Sequence, residues 1–266
     1  MIIDAHTHIF PDKQAPALLS RTARMFNVPT FGGATAHDLL CTMDTCGIDR
    51  AVIHMVAPLP SQVVSINTWL IKLKESRFIK FGTIHPAQTD FCDEIERLRD
   101  NGITGIKFQP DIQQFFPDDK GLTYPVYDAI ARTGLKVMFH VGGEPLPGPH
   151  DRSKPHMIAA IAENFPSLDI IAAHLGGLNM WEDVLSHLAG RTNIYLESSL
   201  SYAYIKPRLA EAIIRKHGHK KIFFGTDYPF GDIAKSLEAA RMVHFLTQDE
   251  RDDVLGKNAK NFFNIT

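Results

Sequence analysis

The feature that most restricts how this chain can fold is a regular alternation of short apolar runs with longer amphipathic ones, sustained from end to end. The apolar runs fall at 2–8, 50–56, 78–85, 103–109, 135–141, 168–174, 193–198 and 221–227. Each is rich in Val, Ile, Leu, Phe or Ala with little polar alternation, as strands buried on both faces of a parallel sheet should be. Helical patterns separate them at 35–46, 61–76, 89–100, 123–133, 154–164, 179–188, 203–217 and 233–246, and 248–263 reads as one further amphipathic helix. Gly47, Gly102, Gly134 and Gly218 each follow a helical pattern and precede a strand, where a left-handed residue closes a helix.

Strand–helix units of roughly 30 residues, repeated about eight times, predict a closed (β/α)8 barrel. The expected fold is therefore an α/β TIM barrel with an extra C-terminal helix, spanning 1–266 as a single domain. An open doubly wound sheet is the competing architecture, but no dinucleotide fingerprint is present and the strand count suits closure. The strand-to-helix loops at 10–34, 110–122 and 142–153 are long and hold Pro, Gly, aromatic and charged residues. In a parallel barrel all three lie at the C-terminal face, where active sites sit.

Composition removes several classes of function. A net charge of -2 over 266 residues, with no basic block, argues against nucleic acid as a partner. No apolar run approaches the ~20 residues of a membrane span, and no signal-peptide pattern opens the chain. Cys41, Cys46 and Cys92 form neither a disulfide framework nor a C-x-x-C pair, and are expected as buried small apolar side chains. The expectation is a cytoplasmic protein with a small-molecule partner and no membrane association, with homo-oligomerisation left open.

The chemistry concentrates at strand ends. Asp4, His6 and His8 close the first apolar run, and strict alternation would place all three on one face. Two imidazoles two residues apart on a rigid strand suit one divalent transition metal. His85, Lys107, Gln109, His140, His174 and Asp227 close other apolar runs in the same way. A buried ionisable side chain costs several kcal/mol without a partner. Several of them at one end of one barrel share a rim on which to converge.

On these residues the chain resembles a known family. Asp-Ala-His-Thr-His at 4–8, His140, His174 and Gly-Thr-Asp at 225–227 are similar to the amidohydrolase superfamily, and most closely to its amidohydrolase-related (amidohydrolase 2) branch, which includes aminocarboxymuconate semialdehyde decarboxylase-like enzymes. The resemblance covers essentially the whole chain, including the closing stretch from Val254 to Phe263. It implies a metal held by His6, His8, His140 and Asp227, with Asp227 and His174 moving protons. Such a set leaves an open position, where bound water has its pKa lowered to ~7. Zinc is the first choice for the single divalent ion, with manganese and iron tolerated.

Lys107 falls near the place where some relatives carry a carboxylated lysine between two metals, whereas this branch resembles the single-metal type. Lys107, His85 and Arg152 are candidate substrate contacts, and Asp4 either orients a ligand from behind or ties the barrel floor. Phe10, Phe26, Phe31, Phe115 and Phe116 line an apolar pocket or pin the top loops. Arg21, Arg24 and Arg152 lie in or beside those loops, where guanidinium groups suit a substrate carboxylate. His150, His156, His187, His217, His219 and His244 are expected to be solvated.

Two reactions use this ligand set. The leading expectation is hydrolysis of an ester, lactone or amide in a small, carboxylated substrate; the alternative is non-oxidative decarboxylation. A non-catalytic metal-binding barrel ranks last, because a structural metal needs no spare base such as Asp227 beside His174.

Overall fold

A computed structural model describes residues 1–143 and 151–265. The eight strands are β1 (Ile3–His8), β2 (Arg50–His54), β3 (Phe78–Thr83), β4 (Gly105–Phe108), β5 (Lys136–Phe139), β6 (Ile170–Ala172), β7 (Ile194–Glu197) and β8 (Ile222–Phe223). They form one parallel sheet in sequence order. The sheet curls onto itself where the Ala5 amide donates to the Phe224 carbonyl at 2.8 Å and the His8 amide to the Tyr228 carbonyl at 2.6 Å. In return the Asp227 amide donates to the His6 carbonyl at 2.8 Å. The structure is thus a (β/α)8 barrel, and its seam joins the two stretches with the densest polar chemistry.

The helices are α1 (Ala15–Phe26), α2 (Ala36–Cys46), α3 (Val63–Lys72), α4 (Phe91–Asp100), α5 (Pro110–Gln113), α6 (Tyr124–Ala131), α7 (Pro155–Asn164), α8 (Trp181–His187), α9 (Pro207–His217), α10 (Ile233–Arg241), α11 (Gln248–Asp252) and α12 (Asn258–Phe262). Among the described residues no helix is long and apolar enough to cross a membrane. Gly47, Gly102, Gly134 and Gly218 have φ of 72°, 71°, 76° and 93°, as the short helix-to-strand turns require.

The barrel interior is layered. Ile3, Val52, Phe81, Met138, Ile171 and Phe223 form an apolar floor from six strands. The C-terminal helical stretch seals that floor, with Phe262 and Phe263 packed on Phe223. The expected single helix over 248–263 contains one π-helical turn at Asp253–Lys257, between α11 and α12. Gly256 lies in that turn because a Cβ there would fall 2.1 Å from the Met1 carbonyl oxygen. The missing side chain lets the helix pass the start of β1.

Three expectations are corrected. The 10–34 segment is not all loop: α1 occupies its middle, with Pro16 in its first turn, where proline is tolerated. Its apolar positions Leu18, Met25 and Phe26 recur at helical spacing, a signal masked by the flanking Pro and Gly residues. Cys41 and Cys92 are exposed and Cys46 is half-buried, because Leu39 and Met43 take the inward face of α2 and Ile95 and Leu98 that of α4.

His217 is the third correction. It is buried, its Nδ1 accepts from the Gly190 amide at 3.1 Å, and its Nε2 lies 3.1 Å from the Ile194 carbonyl oxygen. Burial and then the nearby Lys221 push its pKa down to about 4. Below the unfolded value of about 6.5 the unfolded chain takes up a proton that the folded one refuses until about pH 4. The contribution is therefore fully present above pH 6.5 and is lost as pH falls through that window; it amounts to about 3 kcal/mol. Urea midpoints measured between pH 7 and pH 4 should fall less steeply in His217→Gln than in the unaltered protein, and parallel slopes would refute the assignment. His156, His187 and His244 are exposed, as expected, and His219 is half-buried against Glu250 and Asp253. His150 lies outside the described residues.

Candidate metal centre

The strand ends carry their side chains into one cavity of about 710 Å³ at the C-terminal mouth of the barrel. His6, His8, Lys107, His140, His174 and Asp227 all line it. They come from β1, from β4 and from the exits of β5, β6 and β8. Two exits use uncommon backbone: His174 and Asp227 have φ of 60° and 64°. Left-handed residues other than glycine are strained and collect at functional sites. Here they turn the chain off the strand while keeping the side chain over the mouth.

The pairing of β1 with β2 shifts register between Asp4 and Thr7. This bulge breaks the alternation expected for Asp4, His6 and His8. Ile3 and Ala5 point into the apolar floor, and His6 and His8 line the cavity above it. Asp4 instead ties the barrel seam. Its carboxylate accepts from the Thr226 amide at 3.0 Å, the Thr226 hydroxyl at 2.6 Å and the His6 amide at 3.1 Å. Burial pushes its pKa up to about 7, partly offset by these bonds.

Asp227 Oδ1 lies 3.2 Å from His6 Nε2 and 2.9 Å from His8 Nε2. Burial alone would raise the Asp227 pKa; the hydrogen bond from His8 and the charges nearby outweigh it and hold the carboxyl below its usual range. On the far side of His6, Nδ1 lies 2.7 Å from Glu197 Oε2. Burial keeps His6 neutral, with its pKa well below the usual imidazole value. With Glu197 ionised and accepting, the single ring proton sits on Nδ1 and a lone pair on Nε2 faces an Asp227 oxygen. A cation between these two acceptors would satisfy both. A ligand imidazole held through its other nitrogen by a carboxylate is the arrangement found at metal sites. The residues present therefore fit a divalent metal.

A second chain of bonds runs behind this cluster. The Ser199 hydroxyl donates to Glu197 Oε2 at 2.8 Å and lies 2.9 Å from His174 Nδ1. His174 Nε2 is 3.0 Å from His140 Nδ1. Burial, then His140, pushes the His174 pKa down to about 3, so the ring is neutral. Burial also pushes Glu197 up to about 8, opposed by its bonds to Ser199. Glu197 and Ser199 were missed at the sequence level, although Glu197 closes the apolar run at 193–198 as His140 closes its own. The signal was present and the same rule applied.

The remaining candidates divide. Lys107 and Gln109 line the cavity, as do Phe10, Phe26 and Arg21. His85 does not; its Nδ1 accepts from the Ala87 amide at 3.2 Å, capping the turn after β3. Arg152 also lies outside the cavity wall, its guanidinium 5.0 Å above the Phe116 ring and 3.1 Å from the Gln114 side-chain oxygen. Phe115 is buried in the helical layer, and Phe31 and Phe116 are surface side chains.

A sequence model of amidohydrolases matches residues 3–265. The chain belongs to the amidohydrolase family. It is accordingly an enzyme, and the family implies a divalent metal. No curated protein matches the sequence. Among solved structures, this amidohydrolase is similar to 5-carboxyvanillate decarboxylase LigW from Sphingomonas paucimobilis, with 17% identity, a TM-score of 0.76, and coverage of 100% of this chain and 99% of the other. It is also similar to a dihydroxybenzoic acid decarboxylase from Polaromonas sp. JS666 with bound manganese and the inhibitor 2-nitroresorcinol, at 16% identity, a TM-score of 0.68 and coverage of 99% and 97%. A putative 2-pyrone-4,6-dicarboxylic acid hydrolase from Pseudomonas putida matches at 16% identity, a TM-score of 0.70 and coverage of 99% and 97%. At such identities the shared property is the fold.

Proposed function

We propose that this amidohydrolase is a metal-dependent, non-oxidative decarboxylase of a small carboxylic acid with a flat apolar body. The observation that carries the reading is the make-up of the cavity. Its floor holds the imidazoles and Asp227, its walls are apolar side chains such as Met25, Met55, Ile66, Leu178 and Phe230, and Lys107 and Arg21 face it as cations. Helix α1 roofs it with Leu18 and Thr22. The decarboxylases among the similar structures support the same reading and displace hydrolysis as the leading one.

His6, His8 and Asp227, with His140 across the cavity, would hold the metal. When bound, it supplies a Lewis acid that draws electron density from the bond to be broken. The apolar walls exclude water and orient the ring of the substrate. Lys107 offers a charge-assisted hydrogen bond to an acidic oxygen. Asp227, ionised in the resting site, takes a proton from a substrate hydroxyl and returns it to the ring carbon as the carbon–carboxylate bond breaks and carbon dioxide leaves. His174, fixed by Ser199 and His140, presents a neutral ring to the same cavity.

Hydrolysis of an ester, lactone or amide is the second reading, supported by the likeness to the pyrone dicarboxylic acid hydrolase. Turnover in oxygen-18 water separates the two. Decarboxylation is expected to release carbon dioxide and give an organic product with no solvent oxygen, and label in the product would establish hydrolysis instead. The identity of the metal belongs to the same proposal. Imidazole and carboxylate donors suit manganese as well as zinc, and a manganese-bound similar structure favours the former.

A further inference from the structure

Helix α1 is held over the cavity largely through its ends. Of its residues only Ala15 and Phe26 are buried, while Leu18, Arg21, Thr22 and Met25 face the cavity. The excursion that carries it is closed at its base, where the Phe10 amide donates to the Ala34 carbonyl at 2.7 Å. Its returning end is fastened twice to the stretch that follows Asp227. In the first tie the Phe31 amide donates to the Pro229 carbonyl at 2.7 Å. The second passes through a single carboxylate oxygen: Asp38 Oδ2 accepts from the Gly33 amide at 2.7 Å and also from the Tyr228 hydroxyl. Asp38 is itself fixed at the start of α2, where its amide donates to the Thr35 hydroxyl at 3.1 Å. The junction is tightly packed, and a Cβ at Gly32 would collide with both the Tyr228 hydroxyl and Asp38 Oδ2.

We propose that Asp38 and Tyr228 are positioning residues, a clamp that holds helix α1 and Asp227 in register across the cavity. The inference rests on the reading of that cavity as the reaction site with Asp227 as its proton carrier. Tyr228 directly follows Asp227, its side chain is fully buried, and its carbonyl accepts from the His8 amide at 2.6 Å. The Asp227 backbone is left-handed, with φ of 64°, so the direction of its carboxylate depends on how firmly the next residue is held. A buried ring anchored at its far end by Asp38 resists rotation of the whole β8 exit. Neither Asp38 nor Tyr228 is among the residues that line the cavity, so each acts through a neighbour. Asp38 acts through Gly33 on the α1 wall and through Tyr228 on the catalytic carboxylate. Loosening the clamp lets the wall retreat from the substrate, which raises KM, and lets Asp227 wander, which lowers kcat. A misplacement of about 1 Å is enough to cost up to ~100-fold in rate.

Tyr228→Phe removes the hydroxyl alone. It is expected to lower kcat about 10-fold, to raise KM about 5-fold and to speed amide hydrogen exchange across α1 about 10-fold. Asp38→Ala should do the same. Asp38→Asn is the rescue: both bonds end on one oxygen, which the amide retains, so kcat, KM and exchange should stay within about 3-fold of the unaltered protein. Native kcat, KM and exchange in Tyr228→Phe and Asp38→Ala overturn the proposal, as does a fall in Tm with kinetics and exchange unchanged. An Asn variant as damaged as the Ala variant also overturns it. If Tyr228→Phe does not fold, Asp38→Ala carries the test, because Asp38 is half-buried and outside the core. The kinetics are taken on whichever reaction the oxygen-18 experiment identifies, so a finding of hydrolysis overturns the decarboxylase reading and leaves the clamp to be judged on its own variants. If the unaltered protein turns over no substrate, the reading of the site fails, and native exchange across α1 in both variants would overturn the clamp as well.

Discussion

Asp227→Asn is expected to lower turnover by about 10³-fold while the barrel stays folded. The amide has the size of the carboxylate and keeps one oxygen to face His6 and His8, whose Nε2 atoms lie 3.2 Å and 2.9 Å from Oδ1. It loses both the charge and the ability to take a proton. The native carboxyl titrates below its ordinary range, because the His8 bond and nearby charges overcome its burial, and it is therefore ionised and ready to accept. Turnover should be measured on the best of a panel of hydroxylated aromatic acids, with cation content determined in the same samples. A variant retaining its cation and more than a tenth of the native kcat would remove Asp227 from the proton path.

Gly225→Ala should damage both the fold and the site. A Cβ at this position would stand 1.9 Å from Glu197 Oε1 and 2.6 Å from its Cδ. Glu197 has no room to yield: it is fully buried and bonded to His6 Nδ1 and to the amide and hydroxyl of Ser199. Overpacking of this kind costs about 3 kcal/mol. It also pushes away the carboxylate that sets the His6 tautomer, so cation affinity should fall about 10- to 100-fold. Denaturant midpoints and cation titration measure the two effects. In a Glu197→Ala background the added methyl has space, and its stability cost should drop below about 1 kcal/mol. An equal cost in both backgrounds would show that the clash lies elsewhere. Gly-Thr-Asp at 225–227 thus has a physical reading, with room for Glu197, a tie to Asp4 and the carboxylate itself at successive positions.

The sequence alone determined the barrel. Strands buried on both faces are apolar throughout, helices show a 3.6-residue rhythm, and glycine marks the tight turns between them; each is a local signal that survives without contacts. It also exposed His6, His8, His140, His174 and Asp227, because an ionisable residue closing an apolar strand stands out against its neighbours. Family resemblance assigned roles to these residues, and the structure brings all five to one cavity.

Only the tertiary structure decided how they connect. The bulge in β1 reverses which residues face the interior, so Asp4 joins the seam while the two histidines turn to the mouth. His85 and Arg152 carry suitable chemistry, but their loops spend it on a turn and on the Phe116 ring. Glu197 and Ser199 acquire meaning from His6 and His174, which lie far away along the chain. A hydrogen bond between distant segments depends on register and on the exit angle of each strand, and both are fixed by packing across the whole barrel.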